Sequence, residues 1–91
     1  MATIADWLKI DGENVGQALR EARGKLSDAD GEMVLDFSSV KRIDASAIGA
    51  LEELATVAKE KSVKVVLRGV NVGIYKVLKL SRLTTKFSFL N

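Results

Sequence analysis

The chain has 91 residues, of which 47% are hydrophobic and 29% charged, which is the composition of one ordinary folded domain. It contains no Cys and no His, so disulfides, thiolate metal sites and Ser–His or Cys–His catalytic systems are excluded. The 14 basic and 12 acidic residues are interleaved and leave a net charge of only +2, which argues against nucleic-acid binding. We therefore expect a single domain over residues 1–91 with no catalytic centre, no metal and no nucleic-acid partner.

The basic side chains are densest late in the sequence, at Lys76, Lys79, Arg82 and Lys86. A solvated helix face and a surface for an acidic partner both account for such a cluster. No apolar run approaches the roughly 20 residues that cross a bilayer, and the start of the chain lacks a signal-peptide pattern. These features indicate a cytoplasmic protein without membrane insertion.

The first third of the chain predicts a strand followed by a helix. Residues 3–10 form a short apolar stretch that we interpret as an edge strand, with Trp7 as a lid on the core. The next apolar residues repeat at helical spacing: Val15, Ala18, Leu19, Ala22 and Leu26. Asp11 is expected to cap this helix, and Gly16 and Gly24 are expected to interrupt or shorten it.

Three further segments have the features of strands and loops. Residues 27–32 are polar and predict a loop. Residues 33–37 and 63–70 are apolar runs too short for helices, typical of parallel strands covered on both faces. The final segment, residues 86–91, alternates Phe87 and Phe89 with Ser88 and Leu90, which is a strand pattern.

Two more helices are predicted between these strands. The apolar positions of the first have helical spacing: Ala47, Ile48, Ala50, Leu51, Leu54, Val57 and Ala58. Asn71 is expected to cap the second, whose apolar stripe is Ile74, Val77 and Leu78.

This alternation of strands and helices predicts the α/β class, with a small single-layer sheet of about four strands, mixed but mostly parallel, and about three helices. In such sheets, ligands and partners tend to bind at the carboxyl ends of the strands. The polar residues expected at that edge are Asp36, Ser38, Ser39, Asp44, Ser46 and Asn71.

The segment over residues 33–83, MVLDFSSVKRIDASAIGALEELATVAKEKSVKVVLRGVNVGIYKVLKLSRL, resembles the core of the STAS family. That core has a strand ending in Asp, a short loop, an Asp–Ser–Ser/Thr–Gly turn that opens a helix, a strand ending near Gly-Val, and a helix with a Leu-rich end. The resemblance implies the STAS fold, although the family commonly begins with two strands and only one is evident here.

The resemblance also implies a function, since anti-sigma-factor antagonists of this family act by partner switching. Their Ser after the Asp is phosphorylated by a partner kinase that is also the anti-sigma factor, and the dephosphorylated antagonist sequesters that kinase. In the DASAIG turn of this chain, Ala45 stands in the usual acceptor place, Ser46 follows it, and Ala47 replaces the usual Gly. Either phosphorylation has moved to Ser46, or the chain docks without that switch.

The resemblance points to a set of site residues in the DASAIG turn, the start of the helix and the loop before it. The partner-binding candidates are Ser38, Ser39, Asp44, Ala45, Ser46 and Gly49, with Ser46 as the candidate phosphoacceptor. Asp36 and Asn71 are expected to have structural roles at a strand end and a helix cap. Asp44 or Ser46 can cap the helix that follows, and Asp44 can also contact a partner at the same time.

Two protein-binding functions follow from this interpretation. The first is an anti-sigma-factor antagonist that binds a serine kinase or anti-sigma factor. The second is a STAS subunit or scaffold of a phospholipid-transport or stress-sensing complex, without a phospho-switch, which Ala45 favours. No Gly-rich phosphate loop is present, because Gly69 and Gly73 fit neither known spacing, and we expect no cofactor. The sequence gives no indication of an oligomeric state.

Overall fold

The computed structural model describes residues 6–90, and of Asp6 it describes the backbone alone. A single turn of 3₁₀ helix, Leu26–Asp28, follows the first helix. The strands and α-helices, in chain order, are β1 (Asp6–Lys9), α1 (Val15–Lys25), β2 (Glu32–Asp36), α2 (Ala45–Glu60), β3 (Lys64–Arg68), α3 (Val72–Leu80) and β4 (Ser88–Leu90). The predicted α/β class, with four strands and three helices, is confirmed.

The boundaries differ from the prediction in the first third of the chain. The predicted first strand began at residue 3, and its first three residues lie outside the described part of the chain. The helix α1 runs without a break through Gly16 and Gly24, so the expected interruption is wrong. Asp11 does not cap this helix: Asn14 is the N-cap residue, and the Asp11 carboxylate accepts a hydrogen bond from the Glu13 N–H at 2.9 Å.

The four strands form one sheet in the order β1-β2-β3-β4, and every neighbouring pair is parallel. The register aligns one row of apolar residues across the whole sheet: Leu8, Leu35, Leu67 and Phe89. Each strand pairs with the next strand in the sequence, so every crossover passes through one helix.

The core lies on the side of the sheet that carries this row. All three helices bury side chains in the same cluster as Met33, Leu35 and Leu67. The buried helix residues are Val15, Leu19 and Ala22 of α1, Ala47, Ala50, Leu51, Leu54 and Ala58 of α2, and Ile74 and Leu78 of α3. The helices α1 and α2 pack against each other, and Arg23 of α1 forms an ion pair with Glu53 of α2.

The opposite side of the sheet carries Val34 and Val66, which are buried but do not belong to that cluster. Trp7 is paired beside Val34, mostly exposed, with the Arg68 guanidinium 5.4 Å from its ring centroid. The middle residues of β2 and β3 are therefore buried on both faces, as expected, although within residues 6–90 the helices bury their side chains on one face only. The expected role of Trp7 as a lid on the core is wrong.

The parallel arrangement brings the carboxyl ends of β2 and β3 to one edge of the sheet, where the loop over residues 37–44 and the start of α3 follow. No helix within residues 6–90 is long and apolar enough to span a membrane.

Candidate functional site

The loop after β2 is held in shape by the strand's last residue. The Asp36 carboxylate accepts a hydrogen bond from the Ser38 N–H at 2.9 Å and lies 3.5 Å from the Arg68 guanidinium. The hydrogen bonds from Ser38, followed by the positive charge of Arg68, lower the pKa of the Asp36 carboxyl below its ordinary value. The Val40 N–H donates to the Phe37 carbonyl at 2.9 Å and closes the turn. These contacts stabilise the backbone that presents Ser38 and Ser39 to solvent.

The start of α2 lies at the end of this loop. Asp44 is its N-cap residue, in an extended conformation, and its carboxylate accepts a hydrogen bond from the Ala47 N–H at 2.9 Å. The Ile48 N–H donates to the Asp44 carbonyl at 3.0 Å, which closes the first helical turn. Asp44 therefore satisfies part of the helix terminus, and Ser46 is left free of the capping role.

Asn71 connects the start of α3 to the same loop. Its Oδ1 accepts a hydrogen bond from the Ile74 N–H at 2.8 Å, which is the expected cap. Its Nδ2 donates to the Lys41 carbonyl at 3.0 Å and to the Val40 carbonyl at 3.4 Å. The sequence indicated the cap but not the second role, because carbonyl groups some 30 positions earlier leave no local signal.

The six partner-binding candidates lie in the loop after β2 and in the first turns of α2. Five of them are exposed, and Gly49 is half-buried one turn into α2. We call this set the docking rim: Ser38, Ser39, Asp44, Ala45, Ser46 and Gly49. Asp36 and Asn71 lie directly behind it and fix its backbone.

A shallow cavity of about 360 Å³ lies beside the docking rim, between the starts of α1 and α2. Two arginines, Arg20 and Arg42, line it together with Ser46. A Cβ added to Gly16 would lie 3.2 Å from the Ser46 Oγ and 3.5 Å from an Arg20 side-chain nitrogen. Glu13 and Asp44 also line the cavity, so the Ser46 hydroxyl lies among charges of both signs. Sequence reasoning missed the proximity of Arg20 to Ser46, because α1 and α2 meet only in the folded chain.

The site contains no set of side chains suited to metal binding. Among residues 6–90, His, Cys, Asp and Glu nowhere gather in a group of three that could hold an ion. The chemistry available at the docking rim is hydroxyl, carboxylate and backbone hydrogen bonding, which suits recognition of another protein.

Comparison with known proteins supports the assignment of the STAS fold. A family model described as the Mlab STAS domain matches residues 9–90. The crystal structure of a candidate anti-sigma factor antagonist from Thermotoga maritima is similar, with 19% identity, a TM-score of 0.72, and coverage of 98% of this chain and 75% of that one. The STAS domain of a SulP transporter from Vibrio cholerae has 14% identity, a TM-score of 0.76, and coverage of 99% and 76%. No curated protein sequence matches the chain.

Proposed function

Because this chain belongs to the STAS family, we propose that it is a non-catalytic, cytoplasmic protein-docking module that acts by partner switching with a serine kinase that is also an anti-sigma factor. The observation that carries the proposal is the start of α2, capped by Asp44 and exposed at the docking rim with Ser46 beside it. The lack of His and Cys in the chain agrees with a binding role.

The docking rim is suited to binding because it is preorganised. Asp36 holds Ser38 at one end of the loop, and Asn71 holds Lys41 in its middle. A partner that covers such a loop does not have to order it, so less binding free energy is lost on association.

Ser46 supplies the switch in this proposal, since Ala45 cannot accept phosphate. Transfer of the γ-phosphoryl group of ATP to the Ser46 Oγ, with loss of the hydroxyl proton, would add about −1.5 to −2 charges in the first turn of α2. The helix dipole and the neighbouring Arg20 tolerate that charge within the domain. A partner surface that contacts Asp44 would meet the added charge directly, so docking is lost while the fold persists.

Gly49 contributes by leaving room on α2. A Cβ at this position would meet no atom within 4 Å in the described fold. Glycine in a helix interior costs about 1 kcal/mol relative to alanine, so the fold itself gains nothing from glycine here. Glycine at position 49 would instead leave space for the backbone of a partner to approach α2 closely.

Calorimetric titration of the purified chain with the kinase-type anti-sigma protein tests the docking rim. We expect Asp44→Lys and Ser46→Glu each to raise the dissociation constant at least about tenfold, because each places an unmatched charge in a central contact. The matched controls are Asp28→Lys and Ser27→Glu in the exposed 3₁₀ turn, which should bind as the native chain does. Equal affinities for rim variants and controls would place the binding surface elsewhere.

The alternative function is a scaffold subunit of a phospholipid-transport or stress-sensing complex without a phospho-switch. Ala45 in the usual acceptor place supports it, because a scaffold needs no acceptor. Incubation with the kinase and ATP, followed by intact-mass measurement, separates the two functions. One phosphate on the native chain and none on Ser46→Ala supports the switch, whereas docking without phosphate on either chain supports the scaffold.

A further inference from the structure

The exposed side of α3 carries a concentration of apolar side chains. Within the described part of the chain, five large hydrophobic residues are exposed, and three of them belong to this nine-residue helix. The exposed fractions are 71% for Val72, 42% for Tyr75 and 86% for Leu80. Single exposed apolar residues are ordinary on protein surfaces, but three on one short helix point to a site of interaction.

Two lysines lie among these apolar residues. At 100° per residue, Val72, Tyr75, Lys76, Lys79 and Leu80 occupy an arc of about 140° around the helix. The opposite arc buries Ile74 and Leu78 in the core. We call the exposed arc the α3 face: Val72, Tyr75, Lys76, Lys79 and Leu80.

The part of the sequence that contains α3 carries charge of one sign. All 12 acidic residues of the chain lie within the first 60 positions, and the last 31 positions contain seven basic residues and no acidic one. Arg82 and Lys86 follow in the exposed loop after the helix. The field at this face therefore attracts an acidic surface and repels a basic one.

The α3 face is also rigid. The Tyr75 ring packs edge-on against Phe89, with 5.2 Å between ring centroids and 73° between planes. The residue before Val72 is Asn71, whose side chain holds the helix start to the loop carbonyls of Val40 and Lys41. A fixed aromatic side chain with a polar end is a common anchor in protein interfaces.

We infer that the α3 face docks a partner protein whose surface is acidic around an apolar centre. The charge selects this partner, because two lysines flank the apolar residues and no carboxylate follows them in the sequence. An anionic bilayer fits less well, since the Tyr75 ring is held against Phe89 and only 42% of the residue is exposed. This surface goes beyond the docking rim and needs no modification of Ser46.

NMR titration of the ¹⁵N-labelled chain tests the inference with a defined probe. The probe is a synthetic helical peptide with a leucine stripe flanked by glutamates. We expect shift changes confined to residues 72–80 and the following loop, and an affinity that falls about tenfold in Lys76→Glu/Lys79→Glu, because two attractive pairs become repulsive. The control Lys25→Glu/Lys61→Glu removes the same charge at exposed positions elsewhere and should bind normally.

Other results would overturn the inference. If the peptide does not bind, or if a peptide with lysines in place of the glutamates binds equally well, the α3 face does not select an acidic partner. Binding to phosphatidylglycerol vesicles and not to the peptide assigns the α3 face to a membrane, and self-association abolished by Lys76→Glu/Lys79→Glu assigns it to a second copy of the chain. Asp44→Lys should bind the peptide as the native chain does. The proposal for the docking rim and the inference for the α3 face are therefore tested by different variants, and either one can fail alone.

Discussion

The Asp36 carboxyl binds a proton less readily in the folded chain than in the unfolded chain. Its pKa in the fold is lowered from the ordinary value of 3.8, first by the hydrogen bonds from Ser38 and then by Arg68. The unfolded chain therefore binds more protons in acid, and the free energy of unfolding falls as the pH falls. We predict that Asp36 contributes fully to the free energy of unfolding at a pH above its pKa in the unfolded chain. This contribution is lost as the pH falls through its pKa in the folded chain.

Chemical unfolding at pH 6 and pH 3 measures this contribution. Asp36→Asn keeps an oxygen acceptor for the Ser38 N–H but removes the charge, so its stability should fall less between the two pH values than that of the native chain. Asp28→Asn, which removes an exposed carboxylate of the 3₁₀ turn, is the control and should keep the native pH dependence. Parallel losses in Asp36→Asn and the native chain would contradict the prediction.

Residue type alone was a partial guide to the helix caps. Asn71 and Asp44 were predicted because each precedes an apolar helical stripe, and both accept the expected N–H hydrogen bond. Asp11 failed because its carboxylate accepts a hydrogen bond from the Glu13 N–H in a local turn, and α1 begins only four residues after Asp11. A carboxylate that caps a helix and one that closes a local turn both accept a hydrogen bond from a nearby backbone N–H. Only the exact start of the helix distinguishes the two roles.

At the scale of elements, the loop after β1 touches the loop after β2. A Cβ on Gly12 would lie inside the contact distance of the Ser39 carbonyl oxygen, whereas a Cβ on Gly24 in α1 would meet nothing within 4 Å. We predict that Gly12→Ala destabilises the fold by about 1–3 kcal/mol through overpacking. Gly24→Ala, the matched control, should stabilise it by about 0.5–1 kcal/mol through helix propensity. Urea unfolding of both variants checks the contrast, and equal stabilities would show that the two loops are not in contact.

The order of the elements was predictable because short apolar runs alternate along the chain with segments whose apolar residues repeat at helical spacing. The 3₁₀ turn over Leu26–Asp28 was not, since Leu26 is buried at the end of the apolar stripe and the polar residues after it suggested a loop. The two glycines of α1 also misled, because burial of Val15, Leu19 and Ala22 outweighs about 1 kcal/mol of propensity for each glycine. Tertiary packing therefore decided the length of α1.

At the scale of the whole molecule, the sequence did not reveal that the helices lie on one side of the sheet. Residues 33–37 form an apolar run that is typical of a strand covered on both faces. In the fold, Val34 and Val66 are buried on the other side, in the same row as Trp7 and beside the side chain of Arg68. A run of apolar residues indicates that both faces of a strand are buried, but it does not show whether a helix or neighbouring long side chains cover a given face.

Val65 and Val66 test this one-sided arrangement, since they are adjacent in β3 and have exposed fractions of only 3% and 8%. Val65 belongs to the core cluster and Val66 does not. We predict that Val65→Thr lowers the free energy of unfolding by about 1–3 kcal/mol, because its hydroxyl is buried without a partner. Val66→Thr should cost less than about 1 kcal/mol, because its hydroxyl needs only a small side-chain movement to reach water. Urea unfolding measures both, and an equal loss in the two variants would mean that water reaches the side chain of residue 66 no more easily than that of residue 65.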